Sequence, residues 1–165
     1  MLKKLIVTGS ILFAIIVYSC TKDKGAISGS VLTDDLLITM AKDTSGKFLY
    51  ANGAGATTFT SDPAHNSRPY SLRMNKKAHD ACTAGGKLPN GATFPDSSML
   101  VKELRNSVSN LVEQYAVIYK MNGSWKWGEY KPDGSVDKKI TDDSNFCTSC
   151  HTSTRDNVWT FDVHP

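Results

Sequence analysis

Cys147-Thr148-Ser149-Cys150-His151 places two thiols three positions apart, with an imidazole directly after the second. Thiols so spaced can add to the two vinyl groups on one edge of a porphyrin, and the next residue's imidazole is then held beneath the iron. No deep preformed pocket is required. The pentapeptide therefore reads as the attachment signature of one covalent c-type haem, with Cys147 and Cys150 as thioether donors and His151 as proximal ligand. Two other chemistries use the same residue types. A structural zinc site takes four Cys or His ligands, generally as two spaced pairs, and the remaining candidates are Cys82, His65, His79 and His164. A thioredoxin-like dithiol belongs near a βαβ pattern, whereas this motif follows the polar run 138–145 near the C-terminus.

The other end of the chain bears on location. Met1-Leu2-Lys3-Lys4 is a short basic segment, and 5–18 is an apolar run too short to span a bilayer comfortably. Together they read as an export signal. The run ends at Val17-Tyr18-Ser19-Cys20 before the polar Thr21-Lys22-Asp23-Lys24, and this resembles the lipobox of bacterial lipoproteins. The resemblance implies that Cys20 is lipidated and becomes the mature N-terminus, leaving a soluble domain tethered to a bacterial membrane and facing the periplasm or cell surface. An ordinary signal peptide cleaved elsewhere is the alternative. Both routes lead out of the cytoplasm, where bacteria attach c-type haem.

Removing residues 1–19 takes away two lysines and no acid, so the formal charge falls from +3 to +1. Lys and Arg are otherwise interspersed with acids, and the one cluster, Arg73 to Lys77, is short. Nothing here suggests a nucleic-acid partner. The division is a signal peptide over 1–19, a tether over 20–33 and one domain over 34–165, long enough to bury a core. Cys82 is left over, read as a buried inert thiol, with intermolecular or redox-active roles as the alternatives.

The motif needs a scaffold, and the patterning predicts one. Asp34 to Ala41, with Leu36, Leu37 and Met40 at helical spacing behind Asp/Thr caps, reads as a short helix. Gly46 to Pro69 reads mostly as loop, with an edge strand around Lys47 to Ala51. Tyr70 to Met74 alternates like a strand, Asn75 stands at an N-cap position, and a helix over Lys76 to Ala84 is stopped by Gly85-Gly86. Met99 to Leu104 reads as a strand. Glu113 to Met121 is the clearest one, with Tyr115, Val117, Tyr119 and Met121 on one face and Ala116, Ile118 and Lys120 on the other. Asn122-Gly123 predicts a tight hairpin into Trp125 to Tyr130, and Pro132-Asp133-Gly134 a further turn. The fold class is α+β: mainly an antiparallel meander with a few short helices, followed by the C-terminal haem segment.

Several of these segments resemble a known family. Phe94-Pro95-Asp96-Ser97-Ser98-Met99-Leu100-Val101-Lys102-Glu103-Leu104, then 115–120, then Trp125-Lys126-Trp127-Gly128-Glu129-Tyr130, then the pentapeptide and 155–161, look like the cytochrome P-460 and cytochrome c′-beta group over roughly 65–165. The resemblance implies a mainly β-sheet monohaem protein, usually a homodimer, with His151 proximal and an often open sixth position. An apolar distal side that admits nitric oxide or hydroxylamine is also implied. The P-460 branch adds a lysine-to-porphyrin cross-link and oxidises hydroxylamine, whereas the c′-beta branch lacks the cross-link and binds gases. Lys102 lies in the matching element and is one candidate for the cross-link, against a solvated strand position.

The remaining candidates each have a plainer reading. Phe59 and Phe94 could form an apolar distal lid, or simply be core. Trp125, Trp127, Trp159 and Phe161 read as sheet core and haem packing. Met40, Met74, Met99, Met121, His65, His79 and His164 could each supply a sixth ligand, and no spacing selects among them. Arg155 could pair with a haem propionate or lie in solvent, and Asp156 could orient the imidazole. The expectation is an exported monohaem cytochrome binding small nitrogen-containing ligands and working with a redox partner protein. A six-coordinate electron-transfer cytochrome is the alternative.

Overall fold

The computed structural model describes residues 31–51, 65–83, 86–141, 145–152 and 155–158. The signal segment, Cys20, Phe59, Trp159, Phe161, His164 and the side chain of Arg155 lie outside them. Helix α1 (Asp34–Ala41) has the bounds that the patterning predicts. Thr33, in an extended conformation, accepts from the Leu36 N–H through Oγ1 at 3.2 Å, and Asp34 and Asp35 complement the positive end of the helix.

Six strands follow in an antiparallel sheet whose spatial order equals chain order: β1 (Phe48–Tyr50), β2 (Tyr70–Asn75), β3 (Met99–Arg105), β4 (Val112–Met121), β5 (Ser124–Tyr130) and β6 (Val136–Thr141). This is the expected meander, with β1 as the predicted edge strand. Asn122 and Gly123, both at positive φ (54° and 75°), make the tight turn from β4 to β5. Helix α2 (Lys76–Asp80) hangs between β2 and β3, capped by Asn75 through a 3.0 Å bond from the Ala78 N–H.

Two expectations need correction. Helix α2 stops at Asp80, short of Ala84, because Thr83 bonds across to Gly86 and Lys87 and so starts a turn before the glycine pair. A Cβ on Gly86 would sit 2.3 Å from the Ala51 carbonyl oxygen, so this turn packs against the chain leaving β1. The run expected to be only a polar lead-in to the motif contains most of β6. Its exposed Asp137, Lys138 and Lys139 suit an edge strand, and its pairing comes from β5 and from the Asp34 carboxylate, which accepts the Ile140 N–H at 2.8 Å.

The alternation of the strands divides the core in two. One face carries Met99, Val101, Val117, Tyr119 and Tyr130 and is covered by Leu37, Ile38 and Ala41 of α1. Buried ions on this face are paired: Glu103 lies 2.7 Å from Arg73 Nε and 2.6 Å from an Arg105 nitrogen, and accepts from Ser71 at 3.1 Å. Arg73 also donates to the carbonyls of Ala41 and Asp43, where α1 ends. The opposite face carries Leu72, Met74, Leu100, Trp125 and Trp127, joined by Ala78, Leu88, Phe94 and Val158. Its cover ends with helix α3 (Asn145–His151) and a 3-10 turn (Arg155–Asn157).

Candidate functional site

Helix α3 carries the pentapeptide, and Cys147, Cys150 and His151 all line one cavity against the second face of the sheet. Register builds the far wall: Leu100 on β3, Ile118 on β4 and Trp127 on β5 are direct neighbours across three strands, with Leu72 beside them. The cavity holds about 830 Å³ of atom-free space, its open mouth included. Cys147 is half-buried and Cys150 exposed.

The imidazole of His151 is held from two sides. Its ring meets Trp127 edge to face at 4.5 Å between centroids. Its Nδ1 lies 3.0 Å from the Asn157 carbonyl oxygen, which can only accept, so Nδ1 carries a proton, and in the neutral ring Nε2 holds the lone pair. The structure therefore gives the orienting role to the Asn157 carbonyl. Asp156, expected to orient the ring, turns the other way because a buried ammonium claims it: its carboxylate lies 2.6 and 2.8 Å from Lys120 Nζ and accepts the Phe94 N–H at 2.7 Å. Lys120 was legible only as a lysine two positions after Ile118 on the same strand face. That oddity is itself the signal of a buried carboxylate partner.

Of the histidines and methionines named as sixth-ligand candidates, His65 lines the cavity. Met74, Met99 and Met121 pack into the two cores instead, as does Met40 of α1. His65 Nδ1 lies 3.6 Å from Glu129 Oε1, and Gln114 donates to the other oxygen of Glu129 at 3.0 Å. Burial pushes the Glu129 carboxyl above its ordinary range; Asp137 adds to this, and Lys138 and Arg68 oppose it. The sequence gives no hint of this pairing, since 64 positions separate its partners.

Lys102 also lines the cavity, with Nζ 4.5 Å from the centre of the Tyr70 ring. Phe94 does not line it. That ring is fully buried and packs edge to face on Trp125 at 5.9 Å, a core position. Arg155 opens the 3-10 turn.

A haem offers broad apolar ring faces and needs donors on one side. The apolar wall of Leu72, Leu100, Ile118, Trp127 and Val158, faced by two thiols and a tautomerically fixed imidazole, fits that group. The zinc alternative finds less: among the described residues no three His, Cys, Asp or Glu side chains are placed to hold a metal ion. The dithiol alternative lacks its βαβ setting, since every described strand pairing is antiparallel.

A family model described as cytochrome P-460 aligns with residues 50–162, from the end of β1 to beyond the 3-10 turn. No curated protein and no solved structure matches the chain.

Proposed function

Because the chain belongs to the cytochrome P-460 family and is thus a haem cytochrome, we propose that it carries one haem c on Cys147, Cys150 and His151 and binds small nitrogen-containing ligands. The observation that carries this reading is the convergence of all three side chains on one apolar cavity. Cys147 and Cys150 would hold the group as thioethers, each thiol adding across a vinyl group with its sulfur on one carbon and its hydrogen on the other. The Asn157 carbonyl keeps the proton of His151 on Nδ1 and leaves Nε2 to bind iron. Leu72, Leu100 and Ile118 disfavour water along the wall. When bound, the haem supplies an iron that takes a small ligand and changes oxidation state.

The sixth position of the iron is open or weakly held, with nitric oxide as the preferred class of ligand and hydroxylamine chemistry as the P-460-like extension. The protein is exported and held to a membrane through lipid on Cys20. A ferrous spectrum tests the iron: five-coordinate ferrous haem is high-spin and takes carbon monoxide rapidly. One specific observation favours a second reading, because His65 lines the same cavity. Were His65 the sixth ligand, ferrous protein would be low-spin and slow to bind carbon monoxide, and His65→Ala would convert it to the high-spin form. A red-shifted Soret band abolished by Lys102→Met would place the protein in the cross-linked branch. Labelled palmitate should enter wild type and not Cys20→Ala; equal labelling would remove the lipid anchor from the account.

A further inference from the structure

Asp156 and Asn157 are consecutive non-glycine residues in the left-handed region, at φ 50° and 55°. Asp and Asn tolerate that region better than other side chains, but two in a row persist only where the surroundings hold them. Here the hold comes through one carboxylate. Asp156 accepts the Phe94 N–H at 2.7 Å and the Trp125 indole N–H at 3.4 Å, and pairs with Lys120 at 2.6 Å. The two side chains of that pair are 7% and 9% exposed, so neither charge has water to fall back on. Lys120 is itself fixed on β4, with its backbone bonded in both directions to the 97–98 segment at 2.7 and 2.9 Å. The residue after Asp156 supplies the carbonyl that meets His151 Nδ1.

We infer that Asp156, locked by Lys120, is a positioning residue that holds the Asn157 carbonyl against His151 and thereby sets the donor strength of the iron's proximal ligand. An imidazole that donates a hydrogen bond through one nitrogen is a stronger base at the other. The route runs from sheet to carboxylate, to the backbone turn, to the ring. Asp156 touches no reacting atom. The inference rests on the reading of His151 as iron ligand.

The test is resonance Raman and redox titration of the haem-loaded full chain. In Asp156→Ala the iron–imidazole stretch moves to lower frequency and the midpoint potential rises, because the Nδ1 bond is lost while the thioethers keep the haem in place. Asp156→Asn, which keeps an acceptor for the Phe94 N–H and tolerates positive φ, recovers most of the wild-type frequency. Leu37→Ala on the opposite face, a destabilising change far from the turn, leaves frequency and potential where they are. Should Asp156→Ala fail to fold, Lys120→Met replaces it, with a smaller shift in the same direction. An Asp156→Ala or Lys120→Met protein with the wild-type band and potential overturns the inference. So does a shift in Leu37→Ala as large as theirs. A His151→Ala protein whose haem keeps the wild-type spectrum and potential would instead remove the underlying reading of His151, so the two failures are distinct.

Discussion

The two faces of the sheet solve the same problem differently. On the face under α1, apolar side chains meet apolar side chains, and the buried charges close on one another through Glu103, Arg73 and Arg105. Nothing further is needed to complete it. On the other face Leu100, Ile118 and Trp127 share a cavity with two thiols and an imidazole, and the cover ends in a seven-residue helix and a turn anchored through the Asp156 carboxylate by its ion pair with Lys120 and by hydrogen bonds from Phe94 and Trp125. The first face is closed by side chains alone, whereas the second pairs a buried cluster with a cavity that suits a group the chain does not encode as amino acids. Stability of the first should be indifferent to haem, and stability of the second should depend on it.

The largest effect should come from opening the closed face. Glu103→Ala leaves Arg73 and Arg105 buried without their shared counter-charge, a loss of about 3–5 kcal/mol by analogy with other broken buried pairs. Urea denaturation should find that loss in both the haem-free and haem-loaded forms, and sparing of the loaded form would break the comparison. Next come two truncations. Leu37→Ala, at a fully buried position of α1, should cost about 3 kcal/mol in both forms. Ile118→Ala, on the cavity wall, should cost about 1 kcal/mol without haem and about 2–3 kcal/mol with it, because only then do the deleted methylenes leave a gap against packed atoms. Equal costs for Ile118→Ala in the two forms would mean that the wall does not face the cofactor.

The smallest effect is one of reactivity. Burial pushes the Cys82 thiol above its ordinary pKa, so at pH 8 it holds less thiolate than a free cysteine and alkylates more slowly, gaining rate as pH rises. Among the cysteines of the described residues, Cys150 is exposed and should react first in haem-free protein, with Cys82 last. Loading with haem should leave Cys82 as the one of these three still open to the reagent.

What could be read in advance follows from how local each signal is. The bounds of α1 were legible because Thr33, Asp34 and Asp35 mark its start and Leu36, Leu37 and Met40 stand at helical spacing, but the side it buries is Leu37, Ile38 and Ala41, one position off the stripe that the spacing picks out. The β4–β5 hairpin was legible because Asn122-Gly123 encodes its turn directly. Strand β6 was not, since an edge strand with three consecutive charged residues has no apolar alternation to announce it. The cysteines and histidine of the pentapeptide stand together in sequence because their chemistry requires it. The residues that surround them do not: Lys120 and Asp156 are 36 positions apart, and His65 and Glu129 meet only after β5 has paired. A backbone carbonyl such as that of Asn157 leaves no trace in residue type at all.

The most direct test is the intact mass of the purified, denatured and acid-extracted full chain, made in a host that matures c-type cytochromes. The expected product is a protein heavier by one haem and giving a c-type pyridine haemochrome, with both features lost in the Cys147→Ala, Cys150→Ala double variant. A wild-type chain with the mass of its polypeptide alone, colourless after extraction, would contradict covalent haem attachment.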